Sequence, residues 1–575
     1  MPLYPIPEEL IMNTSLPALS ARPLTRRQVG GLGASVLGAL GLAACSSGTA
    51  APGVEISEAD RVDGGELTIY HANITVLDPR QNHGIVGRAL ADSLVDADPD
   101  TGEILPWLAS GWEVDEAGLT YTFTLREGIT FSDGTALDAA AVKTNLDQSA
   151  QQVEDGEGWY YQGLFDDYVG TEATGELEVV VTFSRPNPSF LPTLATGQLA
   201  ILAPSSFDLS YEQRDNGEFI GSGSFVLESY TPNEGIVLTR REDYAWPSGA
   251  ATHEGAPSIE RVSISFVDEQ SVRESALQAG ETDLAQNPTT QVADQLEAEG
   301  NGLIFRAQSG IPYSLVLNLT DPALQDIAVR RALSRAIDRQ AIFEGVTGAR
   351  QPASTSVLTP STTGYADVSQ HLVHDLDEAN RLLDEAGWTT GDDGIRVKDG
   401  RRLTFELILW WEPQEVSDAL QLLKEQVAGA GIEITVREDI GGAGGSWRDG
   451  KSQLHLNNAT RAAGQLALYS QYTNDNFESA SLIEGVDFGR PLDDFTESGG
   501  LSDLVTAQIT EPDEEVRAQL LAEAQEIIVR DALRIPLFDN INSESGFFAS
   551  APTVHGLRSS TLSELVLHDI WKDEG

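Results

Sequence analysis

A single cysteine, Cys45, stands in this chain of 575 residues, and it precedes the first segment patterned like a strand. No disulfide can form within one molecule, so everything after that cysteine has to be held by packed apolar cores. The composition allows this: hydrophobic residues make up 41% and charged residues 22%, a globular balance rather than a disordered one. So long a chain outgrows one core, and two or three domains are expected. The charge is one-sided. With 89 acidic against 36 basic residues the formal net charge is −53, and the acidic residues are spread along the chain. Such a field repels phosphate backbones and excludes a nucleic-acid partner. It also favours a soluble monomer.

Residues 25–48 read TRRQVGGLGASVLGALGLAACSSG. Arg22, Arg26 and Arg27 make a basic start, and the 16 residues 29–44 carry no charge and include five glycines. A membrane span needs about 20 predominantly apolar residues. Residues 1–44 are therefore expected to be a signal peptide, with Met12 offering a second start. The arginine pair before a weakly hydrophobic, Gly-rich run points to twin-arginine export. The ending Leu42-Ala43-Ala44-Cys45 resembles the bacterial lipobox, which implies that Cys45 carries a diacylglycerol and opens the cleaved chain. Residues 45–63, small and polar, then form a lipidated flexible tether. The expected place is the extracytoplasmic face of a bacterial cell membrane, held through the N-terminal lipid.

Beyond the tether the pattern is α/β. Residues 64–73 alternate as a strand, with Leu67, Ile69 and His71 on one side. Residues 84–95 are patterned as a helix. Leu119, Tyr121, Phe123 and Leu125 alternate with threonines in a half-buried antiparallel strand, and Asp138 is placed to cap the helix that follows. A strand-rich patch (177–195) precedes a Gly-rich hairpin (221–244). Then come an amphipathic helix over 326–346 and another over 377–388. Strand 403–411, a helix near 414–429 and strand 432–438 form a βαβ unit. A helix over 511–530 and a strand over 533–540 close the pattern.

The stretch DPDTGEILPWLASGWEVDEAGLTYTFTLREGITFSDGTALDAAAVKTNLD (98–147) resembles the signature region of the extracellular solute-binding protein family 5. The oligopeptide, dipeptide and nickel-chelate binders of that family serve ABC importers. Further matching stretches are GSGSFVLESYTPNEGIVLTRREDYAW (221–246), VRRALSRAIDRQAI (329–342), EANRLLDEAGW (378–388) and EAQEIIVRDALRIPLFDN (523–540). They fall in family order and carry the resemblance over nearly all of 64–575.

The resemblance implies a two-lobed, periplasmic-binding-protein-like α/β fold of type II, in the large peptide-binder class. Residues 64–309 and 536–575 would form the first lobe, including an extra strand-rich subdomain over about 97–215. Residues 310–535 would form the second, with the chain crossing near SGIPYSLVLN and RIPLFDN. The implied function is capture of a small solute, peptides foremost, by hinge closure, and delivery to an ABC permease and its ATPase subunits. An oligosaccharide or a metal chelate as solute, and a sensory surface lipoprotein without transport, are the alternatives.

No cofactor and no catalysis are expected. Gly-x-Ser-x-Gly, His-Glu-x-x-His and the phosphate-cradling Gly-x-x-x-x-Gly-Lys are missing from the sequence. His371 and His374 sit three apart without a third ligand nearby in sequence and read as surface histidines rather than a metal site. Many of the family's peptide binders hold the ligand's α-ammonium with an Asp in a short acidic motif of the second lobe. Here Arg461-Ala462-Ala463-Gly464 stands in its place, with Asp475 as a substitute further on. Arg461 suits a carboxylate through a bidentate fork. Trp410 and Trp411 end a strand where the crevice of such sheets opens, and only one of the pair can point to a given face. Trp159, Tyr160, Tyr313, Tyr469 and Tyr472 are further stacking candidates, and Asn73, Asn457 and Asn458 are candidates for neutral hydrogen bonds.

Overall fold

The computed structural model describes residues 61–81, 84–155, 163–347, 353–409, 414–439, 450–474, 490–539 and 547–573. The expected signal peptide, the lipobox with Cys45 and the tether up to residue 60 lie outside the described residues. So do Trp159, Tyr160, Trp410, Trp411 and Asp475.

Two large sheets organise the chain. One has seven strands in the order Gly302–Phe305, Phe547–Ser550, Leu284–Gln286, Glu66–His71, Arg261–Phe266, Gly235–Arg240, Phe225–Thr231. Its central strand Glu66–His71 runs parallel to both neighbours, and Leu67, Ile69 and His71 are buried as their alternation demands. The other has five strands in the order Glu433–Glu438, Thr404–Leu409, Leu454–Thr460, Gly310–Leu317, Arg534–Phe538. The βαβ unit read from the sequence is present, its strands Thr404–Leu409 and Glu433–Glu438 paired in parallel around helix Gln414–Ala428. A four-stranded antiparallel sheet, Ala109–Val114, Thr120–Leu125, Glu178–Phe183 and Tyr168–Ala173, carries its own core. In that core Tyr121, Phe183 and Phe190 meet edge to face at 5.0–5.9 Å. The chain passes from the seven-stranded to the five-stranded sheet between Phe305 and Gly310, and back between Phe538 and Phe547. The result is a mixed α/β, two-lobed fold.

Two helices differ from their sequence patterns, each for a local reason. The helix expected over 84–95 ends at Leu90. There the backbone turns to meet the Gly-rich segment: Gly223 N–H donates to Leu90 O at 2.9 Å, and Asp92 N–H donates to Ser222 Oγ at 3.2 Å. A Cβ on Gly221 would stand 2.1 Å from Leu90 O, and one on Gly223 2.3 Å from Ala89 O. The glycines of GSGSF are thus required by a close backbone approach. The helix expected over 326–346 is two, Ile327–Arg335 and Arg339–Thr347. Asp338 makes the break, its side chain accepting Ala341 N–H at 3.0 Å as an N-cap does.

The arginines of this segment hold the second lobe together. Arg330, fully buried, donates to the carbonyls of Leu324, Gln325, Phe495 and Asp531. Arg339 donates to those of Ser334, Ile337, Leu372 and Pro536 and to Ser334 Oγ. Burial lowers Arg339 to about 9, which still leaves it charged at neutral pH, and its donors are spent on backbone acceptors at chain breaks.

Candidate ligand-binding site at one end of the five-stranded sheet

Strand direction decides where this sheet offers side chains to a solute. Thr404–Leu409 is parallel to Glu433–Glu438 and to Leu454–Thr460, while Gly310–Leu317 is antiparallel to Leu454–Thr460 and to Arg534–Phe538. Four strands therefore end on the same edge, the edge at which Gly310–Leu317 begins. Open α/β sheets bind ligands outside the carboxyl ends of their strands. Both passages between the sheets leave from this edge as well.

The first passage is strapped by neutral groups. Ser309 Oγ shares its one hydrogen between Ser361 O and Thr561 O at 2.9 and 2.8 Å, and Gly310 N–H donates to Thr362 Oγ1 at 2.6 Å. Thr460 Oγ1 donates to Gln308 Oε1 at 3.0 Å, and Arg461 N–H donates to Ser309 O at 3.0 Å. Gly310 has φ +124°, and a Cβ there would lie 2.0 Å from Ala459 O, so only glycine allows the strands to close up. One step upstream, Arg306 binds Asp100, Pro99 O and Ser559 Oγ, tying the passage to the loop 98–102 and to the C-terminal segment.

Several residues singled out from the sequence meet at this edge. Asn457 and Asn458 occupy the half-buried end of Leu454–Thr460, and Arg461 follows it, with Nη1 donating to Thr460 O at 2.8 Å. Tyr313 pairs with Phe538 in the sheet and packs against its ring at 5.1 Å, buried. Tyr472 is buried in the second-lobe core. Tyr469 ends helix Gly464–Tyr469 and lies against Gly163, so with Leu466 it joins that core to the core of the four-stranded sheet. Asn73 belongs to the other sheet: it follows Glu66–His71 and its Nδ2 donates to Asn233 Oδ1 at 2.7 Å, fastening a hairpin turn.

Asp539 escaped the sequence reading. It follows Arg534–Phe538 directly, on the same edge, and is only 4% exposed. Ser354 Oγ donates to its Oδ1 at 2.8 Å, and among the described residues no lysine, arginine or histidine pairs with it. Burial pushes its carboxyl up to about 6. Nothing local in the sequence marks this, because Ser354 is 185 positions away.

Among the described residues the histidines form no converging ligand set at this edge. His371 Nε2 lies 3.3 Å from Glu526, and His374 Nδ1 lies 3.8 Å from Asp338. His253, His568 and Asp569 do cluster elsewhere, but the two rings stack at 4.3 Å and 14°. Lone pairs in two parallel planes cannot converge on one ion, and Asp569 already accepts from Thr252 N–H, Thr252 Oγ1 and Arg558.

Over residues 103–480 the chain matches the model of the bacterial extracellular solute-binding proteins, family 5. It is similar to the glutathione-binding protein GsiB of Salmonella paratyphi A, with 27% identity over 480 residues that cover 81% of this chain and 87% of that protein. Among solved structures it is similar to NikA from Brucella suis in complex with Fe(III)-EDTA, at TM-score 0.75 and 23% identity, covering 88% of this chain and 100% of that one. It is also similar to the ABC transporter-associated periplasmic binding protein DppA from Helicobacter pylori in complex with the peptide STSA. There the TM-score is 0.68 and the identity 20%, over 90% of this chain and 99% of that one.

Proposed function

Because the chain belongs to the bacterial extracellular solute-binding proteins of family 5, we propose that it captures peptides or peptide-like solutes between its two lobes and hands them to an ABC permease driven by ATPase subunits. The observation that carries this reading is the arrangement of the five-stranded sheet. Four strand ends, two passages between sheets and a row of neutral hydrogen-bonding groups with Arg461 share one edge. The strand Arg534–Phe538 lies whole in the five-stranded sheet, which moves the second crossing from the expected 535/536 to after Phe538. Hinge motion at the passages would bring the first lobe, 64–309 with its subdomain 97–215 and the C-terminal segment, against the second, and the solute would stabilise the closed state by touching both.

Peptide as solute class draws on the relatives. A glutathione-binding protein is itself a binder of a small peptide, and DppA is bound to a tetrapeptide. Arg461 would serve a carboxylate of such a ligand. Of the aromatic candidates, Trp410 and Trp411 follow the strand end at Leu409 and would supply stacking surface. A metal chelate is the second reading, favoured by the resemblance of the fold to NikA and by the affinity of an arginine for chelate carboxylates.

The anchor is part of the proposal. No helix among the described residues is long and apolar enough to cross a membrane, and a diacylglycerol on Cys45, reached by twin-arginine export, would hold a monomeric receptor beside its permease. Native mass spectrometry of the protein, purified from its own host without refolding and then denatured, tests the solute class. Co-purified peptides are the expected result. A bound glycan or chelate that no peptide displaces would overturn the assignment.

A further inference from the structure

Asp539 combines three features that its structural surroundings leave unexplained. Its carboxylate is nearly withdrawn from water yet receives a single described hydrogen bond, from the neutral hydroxyl of Ser354. It sits at the carboxyl end of Arg534–Phe538, on the edge that also presents Asn457, Asn458 and Arg461, and at the start of the second passage between the sheets. Nearby, Tyr365 Oη and Thr355 Oγ1 satisfy each other at 2.6 Å, and Phe538 packs on Tyr313. A buried carboxylate without a cation is costly. Three other buried carboxylates show the usual remedy, Asp96 on Arg88, Asp78 on Arg214 and Asp531 on Arg331 and Arg530, while Asp92 accepts from Trp246 Nε1 and Tyr244 Oη and Glu564 accepts from Ser560 Oγ with Arg88 in electrostatic reach.

We propose that the missing cation belongs to the solute: Asp539 is the receptor for a protonated amine, at the end of the sheet opposite in charge to Arg461. This rests on the reading of the chain as a receptor for peptide-like solutes and deepens it. The second-lobe position from which the acidic motif is missing holds an arginine, and the acidic role is taken by a residue on a different strand. A zwitterionic peptide would then meet an anion and a cation on one edge. The raised carboxyl agrees with a group held ready for a counter-charge that is yet to arrive.

The experiment uses the full-length protein, its Asp539→Asn variant and three probes. These are a tripeptide library with free amino termini, the same library N-acetylated, and spermidine as an amine that is not a peptide. Binding is read by competitive retention and mass spectrometry, and folding by thermal unfolding without solute. The expected result is at least a tenfold preference of the native protein for the free-amine library over the acetylated one. That preference should fall below twofold in Asp539→Asn, with acetylated peptides bound as before and an unfolding temperature no lower than the native one. Equal binding of the two libraries by the native protein overturns the inference without any variant being needed, as does a preference that survives in Asp539→Asn. Retention of spermidine alone, lost in the variant, upholds the amine receptor and removes the peptide reading. Retention of none of the three removes both.

Discussion

Two buried charges border the strand Arg534–Phe538, and they are treated in opposite ways. Arg339 donates from Nε to Pro536 O at 2.7 Å and spends its remaining donors on Ser334, Ile337 and Leu372. Asp539, three positions along from Pro536, has Ser354 and nothing else among the described residues. Desolvation presses on both, lowering the arginine to about 9 and raising the carboxyl to about 6. Only the arginine is compensated by its surroundings. The arginine's hydrogen bonds are all made within the fold and make it a structural clamp, whereas the carboxylate is the group proposed to receive the solute's amine.

The largest effect is expected at the arginine. Arg339→Met takes a donor from four carbonyls, of which Ser334 O keeps a backbone N–H, and should lower stability by roughly 3 kcal/mol or more, read as the denaturant midpoint of the unfolding transition. Unchanged stability would mean that those carbonyls find other donors. Next in size is Gly221→Ala, whose Cβ meets Leu90 O at 2.1 Å. About 2 kcal/mol should be lost by overpacking against backbone, in the same assay. The opposite sign is expected at the carboxylate. The Asp539 carboxyl is raised in the fold, so its stabilising effect is present below the unfolded value near 3.8 and is lost as pH rises to about 6. At pH 7 the solute-free protein therefore carries the cost, and Asp539→Asn should gain about 1 kcal/mol. A loss of stability would mark Asp539 as a clamp like Arg339.

The smallest effect at neutral pH concerns His568, buried against His253 with no described partner for either ring nitrogen. Burial lowers it to about 3. The unfolded chain takes up its proton below about 6.5 and the fold does not, so stability falls as pH drops from 6.5 towards 3. His568→Phe should behave like the native protein at pH 7 and unfold less readily at pH 5, as thermal scans at the two pH values would show. Equal acid sensitivity of the variant and the native protein would assign the loss to other groups.

The sequence disclosed what repeats and concealed what converges. Leu67, Ile69 and His71, or Tyr121, Phe123 and Leu125, announce strands because a period of two survives in any half-buried strand. The βαβ unit was legible for the same reason. The run over 326–346 kept one helical period across a break, because Asp338 caps the second helix without disturbing the apolar spacing. Asn457, Asn458, Arg461 and Tyr313, candidates by residue type and position, lie at the edge proposed for the ligand. Asp539 was not among these candidates, since a lone acid after an apolar run looks like a strand reaching water. Its burial is set by a serine 185 positions away, and its lack of a counter-ion is a property of the assembled fold.

The central claim is that the two lobes close on a peptide-like solute, and the most direct test is the distance between them in solution. Spin labels at Glu299→Cys and Asp392→Cys, in a Cys45→Ser background, report it from exposed positions on the two sides of the first passage. Pulsed dipolar measurements should show a broad distance distribution without solute that collapses to one narrow population when the free-amine tripeptide library is added. A distribution that stays unchanged while peptides are demonstrably bound would contradict closure between lobes.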